Sequence, residues 1–169
     1  MFRIVATLMA LTAAMIMSCS DDNGTDPAND KYDDKNSLTV NGGGYSNATF
    51  HGFKDEASHG MVVSGGASAI GFGGETPVPE GFAISIVVNG TTTGSYPINA
   101  SAGNSVNMAI TKSAGSTTYL SIPGSGTITV TEYGSTGGRC KGTFNATLIS
   151  LDGMTQLTVT NGKFDVPVK

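Results

Sequence analysis

From Ser37 onward, apolar and polar residues alternate with a period of two. Leu38 and Val40 are separated by single polar residues, and Phe82-Ala83-Ile84-Ser85-Ile86-Val87-Val88 alternates around Ile84, Ile86 and Val88. Thr127-Ile128-Thr129-Val130-Thr131 is the cleanest case, with Ile128 and Val130 on one face and three threonines on the other. Tyr45, Asn47, Thr49, His51 and Phe53 share one face of their segment, with Ala48 and Phe50 on the other. Met61-Val62-Val63, Ala69-Ile70-Gly71-Phe72, Tyr96-Pro97-Ile98, residues 106–110 and 119–122, the stripe Phe144/Ala146/Leu148, and the pairs Leu157/Val159 and Phe164/Val166 continue the series. Gly, Asn and Ser clusters punctuate these runs at roughly 8–12 residue spacing, as in antiparallel β folds. No window carries the 3.6-residue stripe of an amphipathic helix. The pattern predicts an all-β domain: a single antiparallel β-sandwich, immunoglobulin-like or related, with a barrel as the alternative.

The same pattern assigns positions. Phe72, Phe82, Phe144 and Phe164 fall in apolar stripes and belong to the core, whereas Tyr45, Tyr119 and Tyr133 read either as outward, where they could stack on a sugar or a protein, or, the favoured reading, as packed in the core or at its rim. Asn161-Gly162 fits either a type I′ hairpin turn or a bulge in one long last strand. The few residues left after it favour the bulge.

The amino terminus follows other rules. Met1-Phe2-Arg3 precedes an uncharged run of 14 residues, Ile4 to Met17, shorter than the roughly 20 that span a bilayer and suited to an export signal. The run closes on Ile16-Met17-Ser18-Cys19, which resembles the lipobox of bacterial lipoproteins. That resemblance implies removal of residues 1–18 and a diacylglyceryl group on the Cys19 thiol. Ser20-Asp21-Asp22 is similar to the Ser-plus-acidic signal that sends lipoproteins of Bacteroidota-like bacteria to the outer face of the outer membrane. From Ser20 to Asn36 almost nothing is apolar, and six Asp stand against Lys31 and Lys35. Such a stretch cannot bury enough apolar area to offset its ordering entropy. Residues 19–36 therefore read as lipidated cysteine plus acidic tether, and 37–169 as the folded domain.

Composition narrows the classes further. Charged residues are 13% of the chain, Gly is 24 of 169 residues, there is no Trp, and the net charge is −4. Nucleic-acid binding, which needs a basic surface, gets no support. The cysteines are Cys19 and Cys140; with Cys19 lipidated, no disulfide within the chain remains. Cys140 reads as a small apolar strand residue.

Four elements recur in order: Thr93-Gly94-Ser95-Tyr96, Ser125-Gly126-Thr127-Ile128-Thr129-Val130, Lys141-Gly142-Thr143-Phe144 and Asn161-Gly162-Lys163-Phe164. In order and spacing they resemble small surface lipoproteins of Bacteroidota-like bacteria with GTY, GTITIT, GTF and NGxF elements, across roughly residues 80–168. The resemblance implies a β-sandwich-like fold at the cell surface and carries over no catalytic residues.

Candidate chemistry is sparse. His51 and His59 would face each other if residues 50–54 and 58–63 paired across a turn at Asp55-Glu56, and two imidazoles with a carboxylate are legitimate metal ligands. Structural zinc takes four ligands and catalytic zinc three plus water, so His51, His59, Asp55 and Glu56 on a solvated tip are expected to hold none. Gly124-Ser125-Gly126 lacks the spacing of a nucleophile elbow. The glycine clusters at 42–44 and 71–74 have no helix behind them to cradle phosphate and read as strand ends, turns or bulges. Glu75, Glu80, Glu132, Asp152 and Asp165 are scattered. The expectation is a non-enzymatic outer-membrane lipoprotein without a cofactor, a binding module for a glycan or protein. A structural subunit of the envelope that associates through sheet edges is the alternative, and the oligomeric state stays open. The absence of Trp removes the strongest sugar-stacking side chain.

The anchoring is testable by cell fractionation. Cys19→Ser should give unprocessed or soluble protein, because only the thiol accepts the lipid; normal membrane partitioning would refute the lipobox. Replacing Asp21 and Asp22 by Ala should keep lipidation but reduce exposure to external protease.

Overall fold

The computed structural model describes residues 31–78, 80–99 and 101–169. The export signal, Cys19 and the first part of the tether lie outside the described residues. Among the described residues eleven strands are formed: β1 (Tyr32–Gly42), β2 (Tyr45–Phe53), β3 (His59–Ser64), β4 (Ala67–Glu75), β5 (Gly81–Val88), β6 (Gly94–Pro97), β7 (Ser105–Lys112), β8 (Gly115–Ser121), β9 (Thr127–Tyr133), β10 (Arg139–Ser150) and β11 (Gln156–Pro167). A single 3-10 turn, Glu56–Ser58, interrupts the path from β2 to β3.

The first strand begins at Tyr32, so the folded domain starts five residues before the boundary the polar composition indicated. Asn36 explains the shift. It is fully buried, its Nδ2 donates to the Asp165 carbonyl at 3.3 Å, and its Oδ1 accepts from the Asp165 N–H at 2.9 Å. The carboxamide thus stands in for strand backbone where the β1–β2 register slips between Asp33 and Ser37. Composition registers only that these residues are polar; hydrogen bonding is what orders them.

The strands pair in the order β11-β1-β2-β4-β5-β7-β8-β10, and β10 pairs back onto β11. Eight antiparallel strands therefore close into a barrel, correcting the sandwich expectation in favour of its alternative. Period and turn spacing are the same in both architectures. What decides between them is that β10 and β11, each 12 residues long, pair from Arg139↔Pro167 to Ile149↔Gln156. Two of the remaining strands share edges with barrel strands. β4 gives one edge to β3 and then, at Gly74 and Glu75, to β2. β10 gives one edge to β9 and then, at Leu148–Ser150, to β8. β6 extends the sheet beyond β9.

The two ends of the barrel differ. Four short connections, at 43–44, 76–80, 113–114 and 151–155, gather at one mouth. At the other end β1 starts, β11 finishes, and the excursions through β3, β6 and β9 occur. The C-terminus seals that end: Val168 bridges Met61 and exchanges hydrogen bonds with Gly137 and Gly138.

Inside, Phe50, Phe72, Phe82, Phe144 and Phe164 are buried, with Phe50–Phe82 centroids 5.3 Å apart and Phe72–Phe82 edge-on at 6.1 Å. Two rings lie over glycines. Phe144 stands opposite Gly162, and Phe164 opposite Gly142. A Cβ on Gly142 would come within 2.4 Å of the Phe164 ring, and one on Gly162 within 2.6 Å of the Phe144 ring. Asn161-Gly162 is a bulge: Asn161 has φ +51°, and Asn145 of β10 faces two residues of β11. The extra residue flips the alternation, so Leu157 and Val159 before it and Phe164 and Val166 after it all point inward.

The three tyrosines take the favoured role, packed in the core or at its rim. Tyr119 is 5% exposed and belongs to the core. At Asn47 (φ +46°) β2 bulges against β1, which brings Tyr45 to the inner side with its ring edge-on to Phe50 at 5.0 Å. Tyr133 packs against the core and hydrogen-bonds the Ser68 hydroxyl at 2.8 Å.

Chemical denaturation of the full-length protein checks this packing. Ile128→Ala and Phe144→Ala should each cost about 2–5 kcal/mol. Gly142→Ala should cost about 3 kcal/mol or more, because the added Cβ would lie 2.1 Å from the Thr129 carbonyl oxygen of β9 as well as against the Phe164 ring. Thr129→Ala, on the half-exposed face, should change stability by less than about 1 kcal/mol. Equal losses at Ile128 and Thr129 would show that both faces of β9 are covered.

Candidate functional site

Where β1 begins and β2 ends, side chains that alternation turns outward collect into an aromatic surface. Tyr32 pairs in register with Phe53, and their rings stack at 6.4 Å with planes 19° apart. The His51 ring lies 6.1 Å from Tyr32. Lys31 spans the two stacked rings, its Nζ 5.8 Å from the Tyr32 centroid and 5.4 Å from that of Phe53.

The last residue of β4 completes the arrangement. Glu75 accepts from the Tyr32 hydroxyl at 2.5 Å and from Lys31 Nζ at 2.7 Å. It reaches them because β2 comes unusually close to β4 here: a Cβ on Gly74 would lie 2.1 Å from the His51 carbonyl oxygen. The Gly71-Phe72-Gly73-Gly74 cluster is no turn; it forms the end of β4, where Gly74 makes room for the seam. Together Tyr32, Thr49, His51, Glu75, Thr76 and Pro77 line an open depression of about 340 Å³. Its wall, the 76–80 connection, is held by its own bonds: the Thr76 N–H donates to the Glu80 carbonyl at 2.9 Å, and the Thr76 hydroxyl to that of Val78.

Electrostatics fixes the protonation of this pair. Burial, then the hydrogen bond to Glu75 and its charge, push the Tyr32 phenol up to about 12. Partial burial alone would raise the Glu75 carboxyl; the hydrogen bonds from Lys31 and Tyr32 and the Lys31 charge outweigh it and hold the group below the ordinary carboxylate range. At neutral pH the Tyr32 phenol is a donor and the Glu75 carboxylate an acceptor. Tyr32, His51, Thr49 and the Glu75 carboxylate held by two donors are the polar and aromatic side chains that line the depression.

A second cluster of the same composition lies at the other end of the 76–80 connection. The Tyr45 hydroxyl donates to Glu80 at 2.7 Å, Lys112 Nζ lies 3.6 Å from Glu80, and Lys112 sits 5.6 Å from the Tyr45 centroid. Burial and then Glu80 raise the Tyr45 phenol. The connection is thus pinned at both ends by a lysine, a tyrosine and a glutamate.

The residues singled out for metal binding are dispersed. β2 and β3 do not pair; β3 pairs with β4 instead, so the proposed hairpin does not form. His51 lines the depression, with Nδ1 3.3 Å from Asp34, whereas His59 is buried opposite Phe72. Asp55 caps the 3-10 turn, accepting from the Ala57 N–H at 2.9 Å, and Glu56 is held by Arg139 at 2.6 Å. Among the described residues no group of three or more His, Cys, Asp or Glu is placed to hold a metal ion. Cys140 is fully buried, and burial, then Glu132 and Asp165, push its thiol up to about 11. Tyr32 escapes the sequence reading because it falls in the polar stretch taken for tether. An aromatic beside a lysine in an otherwise polar segment was the available signal.

Calorimetric titration of the full-length protein with zinc should show binding no tighter than in a His51→Ala/His59→Ala double variant. One-to-one micromolar binding lost in the double variant would reinstate the metal site.

Comparison of the chain with protein-family models, with curated proteins and with solved structures gives no match.

Proposed function

We propose that the chain is a non-catalytic binding module of the outer membrane, lipid-anchored at Cys19 and facing the exterior, and that the depression at Tyr32, His51 and Glu75 takes a glycan. The observation that carries this reading is the stacked Tyr32–Phe53 surface beside a Glu75 carboxylate held by Tyr32 and Lys31. A sugar ring has the matching chemistry: an apolar C–H face to lay on an aromatic ring and hydroxyls to donate to a carboxylate. The lipobox-like start, the Ser-Asp-Asp that follows it and the ordered glycine-aromatic elements support a surface lipoprotein of Bacteroidota-like bacteria. Assembly through sheet edges has less to work with. Closure of the barrel pairs the long strands and leaves short edges among the described residues: β6, four residues ending in Pro97, and β3, six residues paired with β4 and bridged once by Val168.

Titration of the full-length protein at pH 7.5 with neutral hexaoses of glucose, mannose and xylose tests the glycan reading. At least one should bind, and Tyr32→Ala and Glu75→Gln should each weaken it about tenfold or more, about 1.4 kcal/mol. Binding to none of them, or binding indifferent to both substitutions, would overturn it.

A further inference from the structure

One side chain of the aromatic surface is placed as a bound ligand would be. Lys31 precedes β1, and its Nζ lies 5.8 Å from the Tyr32 centroid, 5.4 Å from that of Phe53 and 2.7 Å from Glu75 Oε1. Both ring distances fall within the roughly 6 Å of cation–π attraction. Two aromatic rings beside a carboxylate are the chemistry that recognises an ammonium group.

The seat is built without the lysine. The β1–β2 register places Tyr32 against Phe53, and their rings stack on each other. The pairing of β2 with β4 brings Glu75 beside them, and the Tyr32 hydroxyl donates to its other oxygen at 2.5 Å. Glu75 and Tyr32 also line the depression, so seat and depression share a wall. Asp34, 3.3 Å from Nδ1 of the lining residue His51, adds a second carboxylate there.

The lysine itself is loosely held. Its side chain is 58% exposed, and an ion pair so open to water adds little to stability. Its backbone is fixed separately, because the Lys31 carbonyl accepts from the Lys54 N–H at 2.9 Å. Vacating the seat therefore takes rotation of a four-carbon stem and no movement of the strand.

We propose that the Tyr32–Phe53–Glu75 seat is an ammonium site with Lys31 as its resident stand-in, and that the ligand of the depression carries a primary ammonium group, as an amino sugar does, that displaces it. This rests on the reading of the depression as a glycan site and adds the charge its ligand brings. The ammonium is primary because the seat asks for a cation over the rings and an N–H for the carboxylate. Tethered beside the seat, Lys31 acts as an intramolecular competitor.

Butylammonium, the free counterpart of the lysine side chain, tests the seat by NMR of full-length protein with labelled aromatic rings at pH 7.5 and constant ionic strength. In Lys31→Ala the Tyr32 and Phe53 signals should return toward their wild-type positions as butylammonium is added, and butanol should leave them unmoved. Binding should be tighter than in the wild type by about threefold or more, the factor an exposed ion pair contributes as competitor. Lys35→Ala removes the same charge nearby and should bind as the wild type does. Adding Glu75→Gln to Lys31→Ala should abolish the response. The ligand is tested at pH 6.0 with the hexaose of glucosamine and its fully N-acetylated counterpart, in which each ammonium is replaced by a neutral amide. The glucosamine hexaose should bind the more tightly of the two, and it alone should gain affinity in Lys31→Ala. Rings in Lys31→Ala that ignore butylammonium, equal affinities with and without Lys31, or a glucosamine hexaose bound no better than the acetylated one would overturn the proposal. The two readings fail separately. A ring response to butylammonium with no hexaose bound rejects the glycan reading and leaves the seat standing, whereas hexaose binding without that response rejects the seat alone.

Discussion

Two rings lying over two glycines hold the barrel shut. Phe144 covers Gly162, Phe164 covers Gly142, and both pairs sit where β10 meets β11. The empty space above each glycine is what a ring on the opposite strand needs, so the longest strands of the molecule gain contact area on the inner face at the position of closure. The remaining strands depend on this pair: β1 lies along β11, β9 and β8 share the outer edge of β10, and β6 follows β9. Thinning either ring or filling either glycine acts on the closure itself.

The depression inherits its geometry from that closure through three contacts. Asn36 ties β1 to the Asp165 backbone of β11, which places Tyr32. The β1–β2 pairing brings Phe53 beneath Tyr32. Gly74 lets β4 approach β2 closely enough for Glu75 to meet both Tyr32 and Lys31. The polar groups are thus positioned from strands, with the 76–80 connection as a wall that two lysine-tyrosine-glutamate clusters pin at its ends. A carboxylate so committed keeps one charge and one orientation.

The inward residues were legible because alternation is local. Ile128, Val130, Phe144 and Phe164 are buried as their stripes indicate. Architecture was not, since a sandwich and a barrel share their period and differ only in which distant strands meet. Alternation failed at Tyr45, where one left-handed residue, Asn47, resets the phase of β2, and at Tyr119, whose neighbours on β8 gave too little apolar contrast to mark a face. The site was half legible. His51 stood out as a rare residue type, but Tyr32 lay in a stretch whose order comes from the carboxamide of a buried asparagine, a contact across 129 positions that no window sees.

The recurring Gly-x-Phe elements acquire a meaning from the barrel. Gly142-Thr143-Phe144 and Gly162-Lys163-Phe164 run antiparallel, so each supplies the gap for the other's ring. Neither half is useful alone. Among descendants of such a chain the four positions are expected to be inherited as a unit, and a substitution in one element to survive only with a matching change in its counterpart. Two Gly-x-Phe triplets late in an otherwise unfamiliar β sequence then act as a ruler, marking which strands close the wall and in what register before any coordinate is known.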